Sequence, residues 1–127
     1  MSAVVTGPPA SADDQYMAIA WSPSTEHASA TRNKPTLAEA EAAAMGLCSQ
    51  GPPTADCRIV VSGPGPCLAL ATRPENPSSY SGGFGDTVEQ AEQSALKHLS
   101  GGVIWMALCQ GDAPAVSGHP MTTEGGS

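Results

Sequence analysis

Four cysteines, Cys48, Cys57, Cys67 and Cys109, carry the most definite chemistry in this chain. Metal ligation and disulfide formation compete for them. Structural zinc sites use paired C-x-x-C or closely spaced histidines. No cysteines are so paired here, and His27, His98 and His119 are scattered, so no metal and no other cofactor is expected. Four cysteines in a small, acidic, lysine-poor chain read as two disulfides made in an oxidising compartment. The plain alternative is four buried thiols in a cytosolic protein. Of the three possible connectivities, the preferred one is Cys48–Cys57 with Cys67–Cys109. Cys48 ends a helix, and Cys57 opens the strand that must fold back under it. Cys67 begins the second half of the chain and Cys109 ends it, so antiparallel first and last strands in that half would bring them face to face. Loop-closure entropy then gives about 2.7 kcal/mol for the short ring and about 4 kcal/mol for the long one.

No other residue set forms a catalytic constellation. A glycine-rich turn feeding a helix can cradle phosphate, which draws attention to Ser81-Gly82-Gly83-Phe84-Gly85-Asp86-Thr87. It matches neither G-x-x-x-x-G-K-[ST] nor G-x-G-x-x-G, so a strand and turn is the better reading. Glu39 and Glu41 could be paired acid and base carboxylates, but their place in the first turns of a helix suits the helix dipole. Nucleophilic catalysis needs a Ser or Cys with a positioned base, and nothing like G-x-S-x-G occurs. Asn76-Pro77-Ser78 is excluded as a glycosylation acceptor by its middle proline. Arg32 and Lys34 form the only local basic cluster and read as a solvated turn. Trp21 and Trp105 read as core anchors.

Composition narrows the partners. Five Lys and Arg against twelve Asp and Glu leave a net charge of −7, which weighs against nucleic acid because phosphate binding needs clustered cations. No apolar run approaches the length of a membrane span. Hydrophobic residues make up 40% of the chain but aromatics only 4%, so the core must be built largely from Ala, Val, Leu and Ile.

The elements that must position these residues come twice. Thr36-Leu37-Ala38-Glu39-Ala40-Glu41-Ala42-Ala43-Ala44-Met45 has a partner in Thr87-Val88-Glu89-Gln90-Ala91-Glu92-Gln93-Ser94-Ala95-Leu96, and each opens with a capping-box signature. The same spacing, Thr36 to Thr87, carries Ala18-Ile19-Ala20 onto Ala69-Leu70-Ala71. Two matches at one spacing indicate an internal duplication. By that spacing Gly82, Gly83 and Gly85 correspond to Thr31, Arg32 and Lys34.

Alternation predicts a strand over 16–21, a turn at Ser22-Pro23-Ser24-Thr25, and a polar strand over 27–33 at or near a sheet edge. A helix follows over 36–48, its inward stripe Leu37, Ala40, Ala44 and Leu47 or Cys48. Gly51-Pro52-Pro53 makes a stiff loop before a β-branched strand over 57–62. Gly63-Pro64-Gly65-Pro66 joins the halves. The second half repeats the order: a strand over 68–72, a longer turn over 73–77, a strand over 79–84 and a helix over 87–99 with Val88, Ala91, Ala95 and Leu99 inward. Ser100-Gly101-Gly102 ends that helix. The last strand, 103–109, is apolar on both faces and is expected at the centre of its sheet.

Residues 1–14 are expected to be a disordered tail. Ala10-Ser11-Ala12 also fits the pattern before a signal-peptidase cut, which would place the numbered start inside a longer precursor. Residues 111–127, rich in Gly, Pro and Ser, are expected to be a second disordered tail. Residues 15–110 then form one domain with repeats at about 16–66 and 67–110. The expected fold is α+β: a duplicated β-β-α-β unit, mostly antiparallel sheet with two helices packed on it, stapled by disulfides.

Tyr16-Met17-Ala18-Ile19-Ala20-Trp21-Ser22-Pro23, Thr36-Leu37-Ala38-Glu39-Ala40-Glu41 and Asp56-Cys57-Arg58-Ile59-Val60-Val61 together resemble a family of small secreted bacterial proteins catalogued as domain of unknown function 4189. Its members occur in mycobacteria, other actinobacteria and some proteobacteria. The resemblance runs from about Tyr16 to Cys109 and takes in all four cysteines in order. It departs at Val88-Glu89-Gln90, where small and basic residues are usual. It supplies no catalytic residues. It implies export, disulfides and a duplicated α+β unit, with envelope or host contact as the role of some members.

Two functions are therefore expected. The first is a secreted, non-enzymatic module that binds a protein or an envelope or host component. The second is a small extracytoplasmic hydrolase or ligand-binding protein whose site only the fold assembles. An extracellular domain of a larger membrane protein is a third reading. A deep pocket with perturbed titratable groups would favour the second; an exposed apolar patch on a convex surface would favour the first.

Overall fold

The computed structural model describes residues 16–50, 56–110 and 121–123, the last three through their backbone alone. The expected tail at 1–14 and the loop at Gly51-Pro52-Pro53 lie outside the described residues. The order is β1 (Tyr16–Ser22), β2 (His27–Lys34), α1 (Leu37–Cys48), β3 (Arg58–Pro64), β4 (Cys67–Arg73), β5 (Asn76–Gly85), α2 (Val88–Lys97), β6 (Val103–Cys109) and β7 (Met121–Thr123).

The fold is α+β and duplicated. Each half makes its own sheet, with strand orders β3-β1-β2-β7 and β5-β4-β6. All pairings are antiparallel except β2 with β7. Strand alternation divides the apolar residues between two sets of contacts. One face of each sheet meets the other sheet through Met17, Ile19, Trp21, Val61, Leu68, Leu70, Trp105, Met106 and Leu108. The opposite faces carry the helices: Ala40, Ala44 and Cys48 of α1 on Ala18 and Ala20, and Ala91 and Ala95 of α2 on Ala69, Ala71 and Ala107. The layers run helix, sheet, sheet, helix. Small side chains suit the two helix–sheet contacts, while the larger ones fill the space between sheets.

Both helices begin as their capping signatures require. Thr36 Oγ1 accepts from the Glu39 amide and Thr87 Oγ1 from the Gln90 amide, each at 3.1 Å. The correspondence extends to irregularities. Register shifts between Ile19 and Ala20, which face Val61 and Ile59, and again between Leu70 and Ala71, which face Met106 and Ile104. Val60 and Trp105 are thus the extra residues of matching bulges. The second bulge turns both Trp105 and Met106 toward the space between sheets. There Trp105 meets Trp21 edge-on, with ring centroids 4.8 Å apart. Trp21 also donates from Nε1 to the Pro77 carbonyl at 2.9 Å.

Several expectations need correction. The last strand, β6, lies at an edge of its sheet and not at the centre. It is apolar on both faces because α2 covers one and the other sheet covers the second, so two-sided burial here reflects stacking. β2 does lie near an edge of its sheet, with only the short β7 paired along its outer side. That pairing corrects the expectation of a structureless tail at 111–127: residues 121–123 form a strand, and the rest of that stretch lies outside the described residues. Arg32 does not sit in a solvated turn. It is buried and donates from a terminal guanidinium nitrogen to the Cys109 carbonyl at 2.9 Å, which ties the two halves. The turn before β5 is shorter than expected, because the strand already starts at Asn76.

Candidate functional site

The disulfides join Cys48 to Cys57 and Cys67 to Cys109, with Cα–Cα distances of 6.1 and 4.0 Å. The first clamps the end of α1 to the approach of β3. The second bridges opposed residues of β4 and β6. All four sulfurs are committed to cross-links, which removes them as nucleophiles or metal ligands. Such bonds belong to an extracytoplasmic or otherwise oxidising environment.

The glycine-rich turn is explained by packing. A Cβ on Gly83 would stand 2.3 Å from the Ala95 amide nitrogen and 2.5 Å from the Ala91 carbonyl oxygen, and one on Gly85 would stand 2.4 Å from the Ala91 nitrogen. Here α2 lies directly on the backbone of β5. On the other face, a Cβ on Gly82 would overlap Val61 of the first sheet. The glycines therefore let a helix and a second sheet approach from opposite sides. Register also refines the correspondence between halves: Gly83 faces Ala69 as Thr31 faces Ala18, so Gly83, and not Gly82, is the counterpart of Thr31. Thr31 donates its hydroxyl to the Ala40 carbonyl at 2.8 Å.

The carboxylates hold structure together. Glu39 lies in the first turn of α1, while Glu41 accepts a hydrogen bond from Ser62 Oγ and so pins α1 to β3. Two residues apart on a helix, they do not face each other. Asp56, to which no chemistry was assigned from sequence, accepts from Ser22 Oγ, Ser24 Oγ and the Ser24 amide at 2.9–3.0 Å. The Ser24 amide, then its hydroxyl, hold its pKa below the ordinary carboxylate value against the opposing effect of desolvation. The Tyr80 hydroxyl, 3.4 Å from the guanidinium of Arg58, pushes the Arg58 pKa up. Among the described residues no group of three His, Cys, Asp or Glu could hold a metal ion.

A further feature among the described residues is a trough along α2. Gln90, Gln93, Ser94, Lys97 and His98 line a depression of about 520 Å³ that opens broadly to solvent. They repeat on α2 at helical spacing, as the polar complement of the inward stripe Ala91, Ala95 and Leu99. That stripe of polar residues was visible in the sequence, but it looks like any solvated helix face until β5 is placed beside it. Lys97 supplies a positive charge, and no carboxylate is among the described residues that line the depression. β5 forms one edge of its sheet. Two groups on α2 close the last part of that edge: Ser94 Oγ accepts from the Phe84 amide at 3.4 Å and Gln90 Oε1 from the Asp86 amide at 2.9 Å. The Phe84 amide thus points away from β4. By the two-residue period of a strand, the amides of Tyr80 and Gly82 face the same way.

A model of the DUF4189 family, described as a domain of unknown function, matches residues 16–105. Among solved structures, the NMR structure of Rv1813c from Mycobacterium tuberculosis is similar at 31% identity, covering 85% of this chain and 83% of that one, with a TM-score of 0.55. No curated protein matches the chain. No helix among the described residues is long and apolar enough to cross a membrane.

Proposed function

The chain belongs to the DUF4189 family, and from that premise we propose that it is a secreted, non-enzymatic interaction module that binds a protein or an envelope or host component. The observation that carries this reading is the open trough along α2, whose lining is hydrogen-bonding and cationic and whose Gln90 and Ser94 also reach the end of β5. Its volume falls in the range of ligand sites, but those are concave, mostly apolar and bury most of their ligand. A broad polar trough beside a strand edge suits a macromolecular surface better. Asp56, with its pKa lowered, and Arg58, with its pKa raised, are engaged by Ser22, Ser24 and Tyr80. Both lie outside the trough, with their partners in the fold, where a catalytic acid or base would aim at open space. The two disulfides support export. They give a body with a small, alanine-rich core the rigidity that a preformed binding surface uses.

Capture on the immobilised oxidised protein from envelope and host-cell extracts, with the reduced protein as control, tests the reading. A partner retained by the oxidised form and confirmed by saturable binding to the purified chain is the expected result. Turnover of an ester, peptide or glycoside by the purified chain, abolished by a single substitution in the trough, would replace the module with an enzyme.

A further inference from the structure

The duplication offers a template for what the trough holds. Both halves place a helix alongside a return strand. In the first half that strand, β2, carries an extended segment on its outer side: β7 runs parallel to it with Ala28 against Met121, Ser29 against Thr122 and Ala30 against Thr123, and it approaches α1. Pairing with the preceding strand identifies the equivalent positions in the second half. Trp21, Ala20 and Ile19 face Ala28, Ser29 and Ala30; their counterparts Thr72, Ala71 and Leu70 face Tyr80, Ser81 and Gly82. Ala28, Ser29 and Ala30 are buried, whereas Tyr80, Ser81 and Gly82 are only half-buried. The trough runs along α2, and its Ser94 and Gln90 reach the Phe84 and Asp86 amides at the end of that same strand edge.

Resting on the binding-module reading above, we infer that the outer edge of β5 at Tyr80–Gly82 is a strand-addition site, which an extended acidic peptide segment of a partner protein enters parallel to β5. Three observations converge on it. The amides of Tyr80 and Gly82 point outward and supply main-chain donors, the basis of affinity in strand addition. The Phe84 and Asp86 amides are closed by Ser94 and Gln90, so the added strand stops before Phe84. The helix wall then selects the occupant. By the spacing of the repeat, Gln93, Ser94, Lys97 and His98 replace Ala42, Ala43, Gly46 and Leu47 of α1. A wall of small and apolar groups in the first half becomes amide, hydroxyl, ammonium and imidazole in the second. Such a wall pairs with carboxylates, and it sits on a chain whose net charge of −7 repels anions elsewhere.

The test titrates the isotope-labelled, oxidised protein with a synthetic peptide of about ten residues alternating Thr and Glu, long enough for one strand. Saturable amide shifts confined to 79–83 and 90–98, with slowed exchange of the Tyr80 and Gly82 amides, are expected. The Thr/Lys counterpart should bind at least about tenfold more weakly, as should the Thr/Glu peptide N-methylated at alternate residues to remove one edge of its hydrogen bonds. The double variant Lys97→Gln/His98→Gln, at two exposed positions, should lose a similar factor while its far-ultraviolet spectrum stays in place. Absence of shifts at about 1 mM peptide, shifts centred elsewhere, or indifference to N-methylation would overturn the site. The broader reading is judged separately: a captured partner held equally by wild type and the double variant overturns strand addition at β5 and leaves the module standing.

Discussion

The two halves share one plan and fasten it differently. Where α1 gives way to β3, Cys48 and Cys57 form a covalent clamp. At the counterpart of Cys48 the second half has Leu99, buried against α2's own sheet. It lies over Gly102, where an added Cβ would meet the Leu99 side chain at 2.8 Å. At the other end the roles reverse. Cys67 and Cys109 bridge opposed positions of β4 and β6, and the corresponding pair in β1 and β3 is Tyr16 opposite Pro64. Each half therefore has one covalent fastening, at opposite ends, and closes its other end without one: by the packing of Leu99 in the second half and by strand pairing alone in the first. A helix on a sheet needs closure at two places, and either chemistry serves.

Removing the fastenings one at a time should separate the halves most sharply. The longer ring constrains more of the unfolded chain, so Cys67→Ala/Cys109→Ala is expected to lose about 4 kcal/mol and Cys48→Ala/Cys57→Ala about 2.7 kcal/mol. Denaturant unfolding monitored at several wavelengths measures both. An equal loss, or a larger one in the first half, would show that geometry outweighs loop length. Next comes the helix contact. Gly83→Ala places a methyl group into the backbone of α2 and should destabilise by about 1–3 kcal/mol. Its counterpart Thr31→Val keeps the shape but removes the hydroxyl that reaches the Ala40 carbonyl, and should cost about 1 kcal/mol. Thermal melts of the two variants would reverse this order if α2 can lift from β5 freely.

The smallest effect is electrostatic and belongs to the first half alone. Asp56 has its pKa lowered by Ser24 and Ser22. A carboxyl with a depressed folded pKa adds stability that is present above its ordinary value near 3.9 and is lost as pH falls through the folded value. The stability gap between wild type and Asp56→Asn should therefore hold at neutral pH and narrow only in acid, below the ordinary carboxylate range. A gap independent of pH would assign Asp56 a role through shape and not charge.

Much of this architecture is legible in the residues. The Thr caps and the alanine stripes of both helices follow from local chemistry, and the common spacing exposes the repeat. The cysteine pairing follows once helix and strand order are known. Layering does not, because alternation assigns residues to faces without saying what covers each face. Val103-Ile104-Trp105-Met106-Ala107-Leu108 reads the same at the centre of one sheet as at the edge of a sheet between a helix and another sheet. β7 is three residues without periodicity, and its partner is far away in sequence. The trough escaped for a similar reason: Gln90, Gln93, Ser94, Lys97 and His98 acquire meaning only beside the edge of β5.

The contact of Trp21 with Trp105 gives the molecule an optical property. The chain has two tryptophans, one from each half, and their indoles meet edge-on at 4.8 Å in the space between the sheets. At that distance the two chromophores absorb as a coupled pair. The longest-wavelength bands of the near-ultraviolet circular dichroism, where indole dominates over tyrosine and the disulfides, therefore report on the seam. A state in which both halves keep their strands and helices but slide apart would retain the amide bands of its far-ultraviolet spectrum and lose the paired indole signal. The native chain thus carries, without any added label, its own gauge of whether the duplicated units are docked.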